Sequence, residues 1–292
     1  MAIRNTSEPK TPRTKYCPVC GTETELSGCF RKWGYSIVQC SRCGLGSTLL
    51  KKDFNPLHIY SEDYFRGQVK DGYADYVGSE PILRRQFRTV VDHLKSTEHA
   101  SGKLLEIGCA YGFFLMEARE HFQVYGIETN ARAVEFCRAR GLDVKCGTVS
   151  EQFLSEKGPF DVVVMLDVIE HVTDPHELLT FIHRHLAPGG LILITTGDWN
   201  SVVSHLMRSH WRLMTPPQHA FFFSNKTLPA LLSRLGFKTV EVSHPWKLVP
   251  SSLVLFQLAR MMGLKPKNIQ FLSQVPLPVN LFDAMRVVAV RP

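Results

Sequence analysis

The chain of 292 residues combines 44% hydrophobic with 21% charged residues, a balance typical of a globular protein that excludes a disordered or fibrous one. Its net charge of +7 is uneven: residues 1–52 carry nine Lys and Arg against three Asp and Glu, and so hold all but one of the net positive charges. No apolar run reaches the length of a membrane span, and the N-terminal stretch lacks the apolar segment of a secretory signal. The eight Cys do not form the pattern of a disulfide framework, so we expect a reducing, cytoplasmic location.

Two Cys-x-x-Cys pairs, nineteen residues apart, stand near the N-terminus: Cys17, Cys20, Cys40 and Cys43. Four thiolates can close a tetrahedral site around zinc, so this spacing predicts a structural zinc ribbon over residues 16–52, with a strand over 35–39 and a disordered basic tail over 1–15. Such a ribbon could act as a structural clamp, as a lid on an acceptor site or as an RNA-binding element. Four thiolates around one zinc dication carry a net negative charge, which weakens the case for nucleic acid as a partner.

Residues 53–78 form an irregular linker that is rich in aromatic residues: Tyr60, Tyr64, Phe65, Tyr73 and Tyr76. Apolar side chains then recur at helical spacing over 80–96, and strand and helix patterns alternate from residue 102 onward. The expected strands cover residues 103–107, 123–127, 143–146, 160–166, 191–196, 238–242 and 284–290, and the expected helices cover 113–122, 131–140, 175–186 and 224–236. This βαβ alternation predicts an α/β domain over 79–292 with a parallel, doubly wound sheet and right-handed crossovers.

A glycine-rich turn follows the first of these strands, within residues 104–112, whose sequence is LLEIGCAYG. Gly108 and Gly112 allow the backbone to approach a ligand closely, and Glu106 at the strand end can accept hydrogen bonds from it. The turn departs from the dinucleotide pattern GxGxxG, which favours a different cofactor. Glu128, at the end of the next strand, suits the paired hydroxyls of a ribose, because one carboxylate can accept from both.

Together these segments resemble the class I S-adenosylmethionine-dependent methyltransferases. Residues 105–112 resemble the family's first motif, (Asp/Glu)-x-Gly-x-Gly-x-Gly, and Glu128 matches its ribose-binding acid. Residues 161–172 and 186–193 resemble its fourth strand and the turn into its fifth. The resemblance runs over about residues 75–292 and implies a Rossmann-like, seven-stranded sheet with S-adenosylmethionine as cofactor. Ala110 stands where the family often has Gly, and we expect a slightly tighter loop there.

The resemblance also implies which residues hold this cofactor. They are Glu106, Gly108, Ala110 and Gly112 for the methionine end and the turn, Glu128 for the ribose, Thr148 and Val149 for the adenine, and Leu166 and Asp167 for the sulfonium end. Acids and carbonyl groups suit a cationic sulfonium electrostatically. Methyl transfer is an in-line displacement, so the protein mainly positions the acceptor and supplies a base where the acceptor must lose a proton.

Two segments offer candidate catalytic bases. Glu170 and His171 follow the fourth strand, and with Asp167 they are similar to the acid–acid–histidine cluster of ubiquinone-pathway O-methyltransferases, which can hold a divalent cation. His219 lies within residues 211–224, which resemble a Pro-x-His-x-x-Phe-Phe-Ser segment of sugar and small-molecule methyltransferases with N-terminal zinc modules. There the histidine can face the acceptor, and an imidazole titrates near neutral pH. Alternatively, Glu170, His171 and His219 could each form hydrogen bonds within the fold and contact no substrate.

The leading hypothesis is methylation of a small-molecule acceptor: a sugar nucleotide, a glycan or a natural-product intermediate. Insertions near 197–223 and 246–280 would cover that acceptor, and the aromatic side chains of the first insertion could line its pocket or belong to the core. The apolar residues 249–262 would form a cover helix or dock on a membrane. An RNA base methyltransferase with a zinc module is the first alternative, and a non-catalytic methyltransferase-like binding protein is the second.

Overall fold

The computed structural model of the protein describes residues 13–50, 54, 75–97, 102–261, 272 and 274–292. The tail predicted over 1–15 is wrong for its last three residues, because a strand already begins at Arg13. Four of the linker aromatics lie outside the described residues: Tyr60, Tyr64, Phe65 and Tyr73. Among the helices of the described ranges, none has the length and apolarity that a bilayer crossing requires.

The N-terminal module is built on four consecutive antiparallel strands: β1 (Arg13–Cys17), β2 (Thr22–Lys32), β3 (Tyr35–Cys40) and β4 (Gly46–Thr48). The strand β3 confirms the strand predicted between the cysteine pairs. Each cysteine pair occupies a turn between two strands, and a backbone hydrogen bond closes each turn. These bonds run from Gly21 N to Cys17 O at 2.8 Å and from Gly44 N to Cys40 O at 3.0 Å. The two turns therefore bring all four cysteines to one end of the module.

The main domain begins with a helix and then alternates strands with helices. Its strands are β5 (Lys103–Ile107), β6 (Gln123–Glu128), β7 (Asp143–Cys146), β8 (Phe160–Leu166), β9 (Leu186–Gly197), β10 (Phe221–Phe222), β11 (Lys238–Ser243), β12 (Lys247–Pro250), β13 (Pro276–Val279) and β14 (Ala284–Val290). Its helices are α1 (Glu80–Lys95), α2 (Phe113–Ala118), α3 (Ala131–Arg138), α4 (Glu151–Lys157), α5 (Pro175–His185), α6 (Val202–Met207), α7 (Thr227–Arg234) and α8 (Ser251–Met261). All seven predicted strands of this domain are present, whereas the helices α4 and α6 and the strands β10, β12 and β13 were not predicted.

Seven of these strands form the central sheet, in the order β11-β14-β9-β8-β5-β6-β7. The five strands β5 to β9 are mutually parallel, as predicted. The prediction of a wholly parallel sheet is wrong at one edge, because β14 runs antiparallel to both β9 and β11. Parallel neighbours need a long crossover. The chain enters β14 from β13, the second strand of the short β12–β13 pair, through residues 280–283 alone.

The strand β10 does not join this central sheet. It pairs antiparallel with β4 and becomes the fifth strand of the N-terminal sheet, with Phe221 opposite Ser47 and Phe222 opposite Gly46. Gly46 permits this approach, since a Cβ atom there would lie 2.9 Å from Cβ of Phe222. The sheet of the module predicted over 16–52 is therefore completed by a strand of the main domain.

The two parts of the chain also share one hydrophobic core. Cys17, Val19 and Leu45 of the N-terminal module belong to the same buried cluster as Phe221 and Phe223 of the main domain. A second cluster fills the opposite face of the central sheet, between the sheet and α1, α2 and α3. Because burial is continuous across the junction, apolar burial should stabilise the two modules together.

The aromatic side chains around β10 are core residues. Trp211 and residues 221–223 are buried, and Trp199 packs against Trp211 and Phe222 with ring centroids 6.1 and 5.3 Å away. Of the two roles predicted for them, the structure shows the packing role.

A buried carboxylate at the entrance to β14 fixes the segment that follows α6. Asp283, which is 1% exposed, accepts a hydrogen bond from Trp211 Nε1 at 2.9 Å and two from Arg212, at 3.0 and 2.7 Å. Bonds of this kind to a charged group each contribute about 1.5–3 kcal/mol. This contact ties residues 211–212 to the start of β14 in the central sheet.

We predict that Asp283→Asn lowers the free energy of unfolding by about 2–3 kcal/mol, since an amide removes the charge and one acceptor from this contact. Urea unfolding of both proteins measures the difference. The matched control is Glu151→Gln, which breaks an exposed ion pair with Arg184 and should cost less than about 1 kcal/mol. Equal losses in the two variants would contradict the role given to Asp283.

Candidate active site

A cavity of about 1410 Å³ opens at the carboxyl ends of the parallel strands. It extends from the turn after β5, past the loop after β8, to the β12–β13 pair and the tip of the β2–β3 hairpin. Pockets for single small ligands measure about 300–1,000 Å³. The cavity therefore has room for two ligands side by side.

The glycine-rich turn forms one end of this cavity. Gly108, Ala110 and Gly112 all have left-handed backbone conformations, with φ of 74°, 45° and 70°. Gly108 N donates to Ile127 O at 2.8 Å, which anchors the turn to the next strand. The left-handed conformation costs a residue with a side chain about 1–2 kcal/mol. Ala110 adopts it nevertheless, so the turn keeps the glycine-type backbone.

Glu128 ties the turn to the end of β6. Its carboxylate accepts hydrogen bonds from the backbone N–H groups of Ala110 and Asn130, both at 2.8 Å, and the residue is 7% exposed. The side chain still borders the cavity. Its Oε1 atom also accepts from Thr129 Oγ1 at 3.3 Å. The lone pair that is left lies on Oε2, so that oxygen can receive a ligand hydroxyl as well as hold the turn.

Glu106 lies buried beneath the turn, where it is 3% exposed. Its Oε2 atom has no hydrogen-bond partner in the described part of the chain. Burial, together with the nearby Cys137 and Glu128, raises the pKa of this carboxyl well above its usual value. A buried carboxyl without a partner is stabilised by a cation. The cradle therefore fits a cofactor that presents positive charge at this end.

Most of the remaining residues predicted to bind the cofactor line the same cavity: Thr148, Val149, Leu166 and Asp167. Glu106 and Gly112 are the exceptions and support the turn from below. The sequence patterns missed Tyr76 and Ser79, which precede α1 and border the cavity. The buried ring of Tyr76 stacks on Phe113 with centroids 5.4 Å apart. Its place in an aromatic-rich linker was the only available signal.

Glu170 and His171, in the loop after β8, and His219, just before β10, meet at the border of the same cavity. One ligand-type atom from each lies within 4.8 Å of the others, a spacing that could also suit a shared cation. The rings of His171 and His219 are 4.7 Å apart between centroids, at 80°. The sequence linked Glu170 and His171 with Asp167, but Asp167 instead binds Lys247 Nζ at 3.0 Å and Thr195 Oγ1 at 3.0 Å. The third member of the cluster is therefore His219.

The electrostatics of this cluster favour neutral groups. Burial, with a contribution from Asp167, raises the pKa of Glu170 to about 8, and its Oε2 atom has no partner among the described residues. Burial and the neighbouring His171 hold the pKa of His219 well below its usual value. His171 Nδ1 lies 3.0 Å from the carbonyl oxygen of Gln218, to which only a protonated nitrogen can donate. A neutral His171 therefore keeps the lone pair on Nε2.

The four cysteines of the N-terminal module also converge. Cys17 Sγ lies 3.6 Å from Cys43 Sγ, and Cys20 Sγ lies 3.8 Å from Cys40 Sγ. Zinc–sulfur bonds of about 2.3 Å in a tetrahedron put the sulfur atoms about 3.8 Å apart. The quartet therefore fits a zinc ion. Cys29 lies outside it, and its Sγ contacts Gln39 at 3.9 Å.

Comparison with known proteins identifies relatives of the main domain. A family model described as a methyltransferase domain matches residues 80–242, which is more than half of the chain. The chain is 38% identical over 101 residues to the ubiquinone biosynthesis O-methyltransferase of Caulobacter sp. (strain K31), covering 32% of this chain and 40% of that protein. It is 29% identical over 174 residues to that of Methylococcus capsulatus, covering 56% and 71%. The chain thus spans less than half the length of the first relative.

Solved structures share the fold at low sequence identity. A SAM-dependent methyltransferase from Thermotoga maritima superposes with a TM-score of 0.52 at 20% identity, covering 79% of this chain and all of that one. Another from Archaeoglobus fulgidus gives 0.52 at 19% identity, covering 78% and 97%. The likeness establishes a common α/β architecture.

We predict that Glu106→Gln weakens the binding of S-adenosylmethionine about tenfold at pH 8, because the amide cannot neutralise the cation. In the wild type the pKa of Glu106 is raised, so its proton must leave when a cation binds. Affinity should therefore increase as the pH rises, and this dependence should flatten in the variant. Calorimetry at pH 6 and 8 measures both effects.

The control for this experiment is Glu117→Gln. Glu117 is an equally buried acid, but it pairs with Arg84 and Arg88 outside the cavity, so its loss should leave cofactor affinity and its pH dependence unchanged. Unchanged binding in Glu106→Gln at both pH values would exclude Glu106 from the cofactor site.

Proposed function

The chain belongs to the class I S-adenosylmethionine-dependent methyltransferases, and we propose that it transfers the methyl group to a small molecule bound in the half of the cavity nearest His219. The observation that carries this proposal is the continuity of the cavity. One space is bordered both by the glycine-rich turn and by the Glu170–His171–His219 cluster. Its volume of about 1410 Å³ exceeds what a single small ligand needs.

The cofactor end of the cavity would be held by groups already in position. The carboxyl of Glu106, whose Oε2 atom has no partner among the described residues, is suited to the positive charge of the methionine end, and the carboxylate of Glu128 to the ribose hydroxyls. Thr148 and Val149 border the space beyond them, where the adenine would lie. When bound, S-adenosylmethionine supplies an electrophilic methyl group on a sulfonium.

His219 is our candidate for the general base. Its lowered pKa leaves the imidazole neutral near pH 7, with a lone pair that can accept the proton of an acceptor hydroxyl. Glu170 has a pKa of about 8 and is protonated under the same conditions. A protonated Glu170 adds no charge of its own to the cluster as His219 accepts that proton. His171, held by the carbonyl of Gln218, fixes the other side of the His219 ring.

The walls of the acceptor half favour a compact organic molecule with a polar reacting group. The hairpin tip contributes Lys32 and Trp33, and α8 contributes Leu253 and Val254. Residues 249–250 and 252–254 all border the cavity, in keeping with the predicted covering segment. The curated relatives are named as O-methyltransferases of ubiquinone biosynthesis, which supports a hydroxyl acceptor for this chain. A sugar nucleotide, a glycan and a natural-product intermediate all offer such a hydroxyl.

We further propose that the N-terminal cysteine quartet binds one structural zinc ion. The sulfur spacing and the position of each pair in a closed turn support it. A site closed by four thiolates leaves no coordination position for a substrate, so its contribution is to stability.

We predict that His219→Ala lowers turnover at least about 100-fold, the usual contribution of a general base, while the affinity for S-adenosylhomocysteine changes less than about twofold. Turnover is measured as formation of S-adenosylhomocysteine with two soluble probe classes, the catechol 3,4-dihydroxybenzoate and nucleoside-diphosphate sugars. His210→Ala, on the same cavity wall but outside the cluster, is the matched control. Turnover of His219→Ala within a few-fold of the wild type would exclude the base role.

We predict one zinc ion per chain by metal analysis of the purified protein. Cys43→Ser should lose the ion and lower the free energy of unfolding, because zinc binding and folding of such modules are linked. Cys29→Ser should keep both the ion and the stability, since Cys29 lies outside the quartet. Protein that is fully stable without metal would contradict the structural role.

A further inference from the structure

The N-terminal sheet continues directly into the segment that carries His219. The strand β10 begins two residues after His219 and completes this sheet by pairing with β4. His219 lines the cavity, whereas the carbonyl groups of His219 and Ala220 face the N-terminal module. A histidine of the catalytic half is thus carried on the edge of a different sheet.

Thr48, at the end of β4, makes the contacts that hold this backbone. Its hydroxyl donates to the carbonyl oxygen of His219 at 2.6 Å, and its N–H donates to the carbonyl oxygen of Ala220 at 2.9 Å. The residue is fully buried. Water cannot replace the hydroxyl in such a site, so its removal would leave the carbonyl of His219 without this donor.

The same backbone segment is bonded on its other side to the Glu170 turn. Ala220 N–H donates to the carbonyl oxygen of Glu170 at 2.8 Å, and Gln218 accepts from His171 at 3.0 Å. Residues 218–220 therefore lie between Thr48 and the turn that carries the other two members of the cluster. Displacing this segment would change the spacing of all three side chains.

A short path links this contact to the cysteine quartet. Cys40 N–H donates to the carbonyl oxygen of Leu45 at 2.9 Å, and Leu45 directly precedes β4. Leu45 is 1% exposed and packs in the cluster that also contains Cys17 and Phe221. The quartet thereby fixes the strand that presents Thr48.

We propose that Thr48 is a positioning residue, which sets the distance of the His219 ring from Glu170 and His171 through the backbone of residues 219–220. This inference rests on the proposed role of His219 as the base. Through Thr48 the N-terminal module would influence the transfer step. This role is separate from its metal site and from the residues that it contributes to the cavity wall.

The test compares Thr48→Val, which removes the hydroxyl at nearly constant volume, with Thr48→Ser, which retains it. We expect Thr48→Val to lower kcat about tenfold or more, in line with the sensitivity of such reactions to small misplacements. KM for the probe acceptor and the affinity for S-adenosylhomocysteine should stay within twofold, and Thr48→Ser should restore kcat. Thr48→Ala is a second variant without the hydroxyl, should the valine fail to fold.

A second measurement needs no acceptor. Cross-relaxation between the His171 and His219 ring protons reports their separation, which is 4.7 Å between centroids in the wild type. The signal should weaken in Thr48→Val and return in Thr48→Ser. Near-wild-type turnover in His219→Ala would contradict the base proposal. The ring contact in Thr48→Val would still decide the positioning role, so the two proposals can fail separately.

Ser47→Ala is the matched control, because Ser47 is buried on the same strand but its side chain makes no hydrogen bond to residues 215–223 of the described structure. It should leave both kcat and the ring contact unchanged. Three results would overturn the inference: wild-type kcat and ring contact in a folded Thr48→Val, an equal defect in Ser47→Ala, or no recovery in Thr48→Ser.

Discussion

Backbone pairing between β4 and β10 is the interaction on which the active-site half of this protein depends. It adds a strand of the main domain to the N-terminal sheet, and it requires a residue without a side chain at Gly46. The pairing is short, but buried apolar residues from both modules surround it. Hydrogen bonds between peptide groups are directional, whereas apolar burial is not. The pairing therefore supplies the register, and the shared core supplies most of the stability.

The cofactor half follows a different principle, in which backbone strain and a buried carboxyl oxygen without a hydrogen-bond partner are retained for a ligand. Ala110 keeps a left-handed backbone, and Glu106 keeps a buried oxygen without a partner in the described structure. Both features raise the free energy of the ligand-free protein. A cation bound against the turn would relieve the second. Glu170 resembles Glu106 in this respect, because it too has a raised pKa and an Oε2 atom without a partner in the described structure.

Much of this arrangement could be predicted from the sequence, because local patterns carry it. The seven strands of the main domain, the glycine-rich turn and the cysteine turns each occupy a short continuous segment. The antiparallel direction of β14 and the pairing of β10 could not be predicted, since both depend on contacts between distant segments. The same reason explains why Asp167 was grouped with Glu170 and His171. Asp167 lies next to the Glu170–His171 turn in the sequence, but its side chain binds Lys247, which is eighty residues away.

The tip of the β2–β3 hairpin offers a route to altered acceptor range. Lys32 and Trp33 reach the cavity from a hairpin whose other end is fixed by the cysteine turns. Lys32 Nζ also donates to the carbonyl oxygen of Trp211 at 3.4 Å. The tip is far along the chain from every residue of the glycine-rich turn. A directed-evolution library could replace the hairpin tip with loops of other lengths. Such a library would vary the acceptor molecules that are recognised and leave the residues of the cofactor half unchanged.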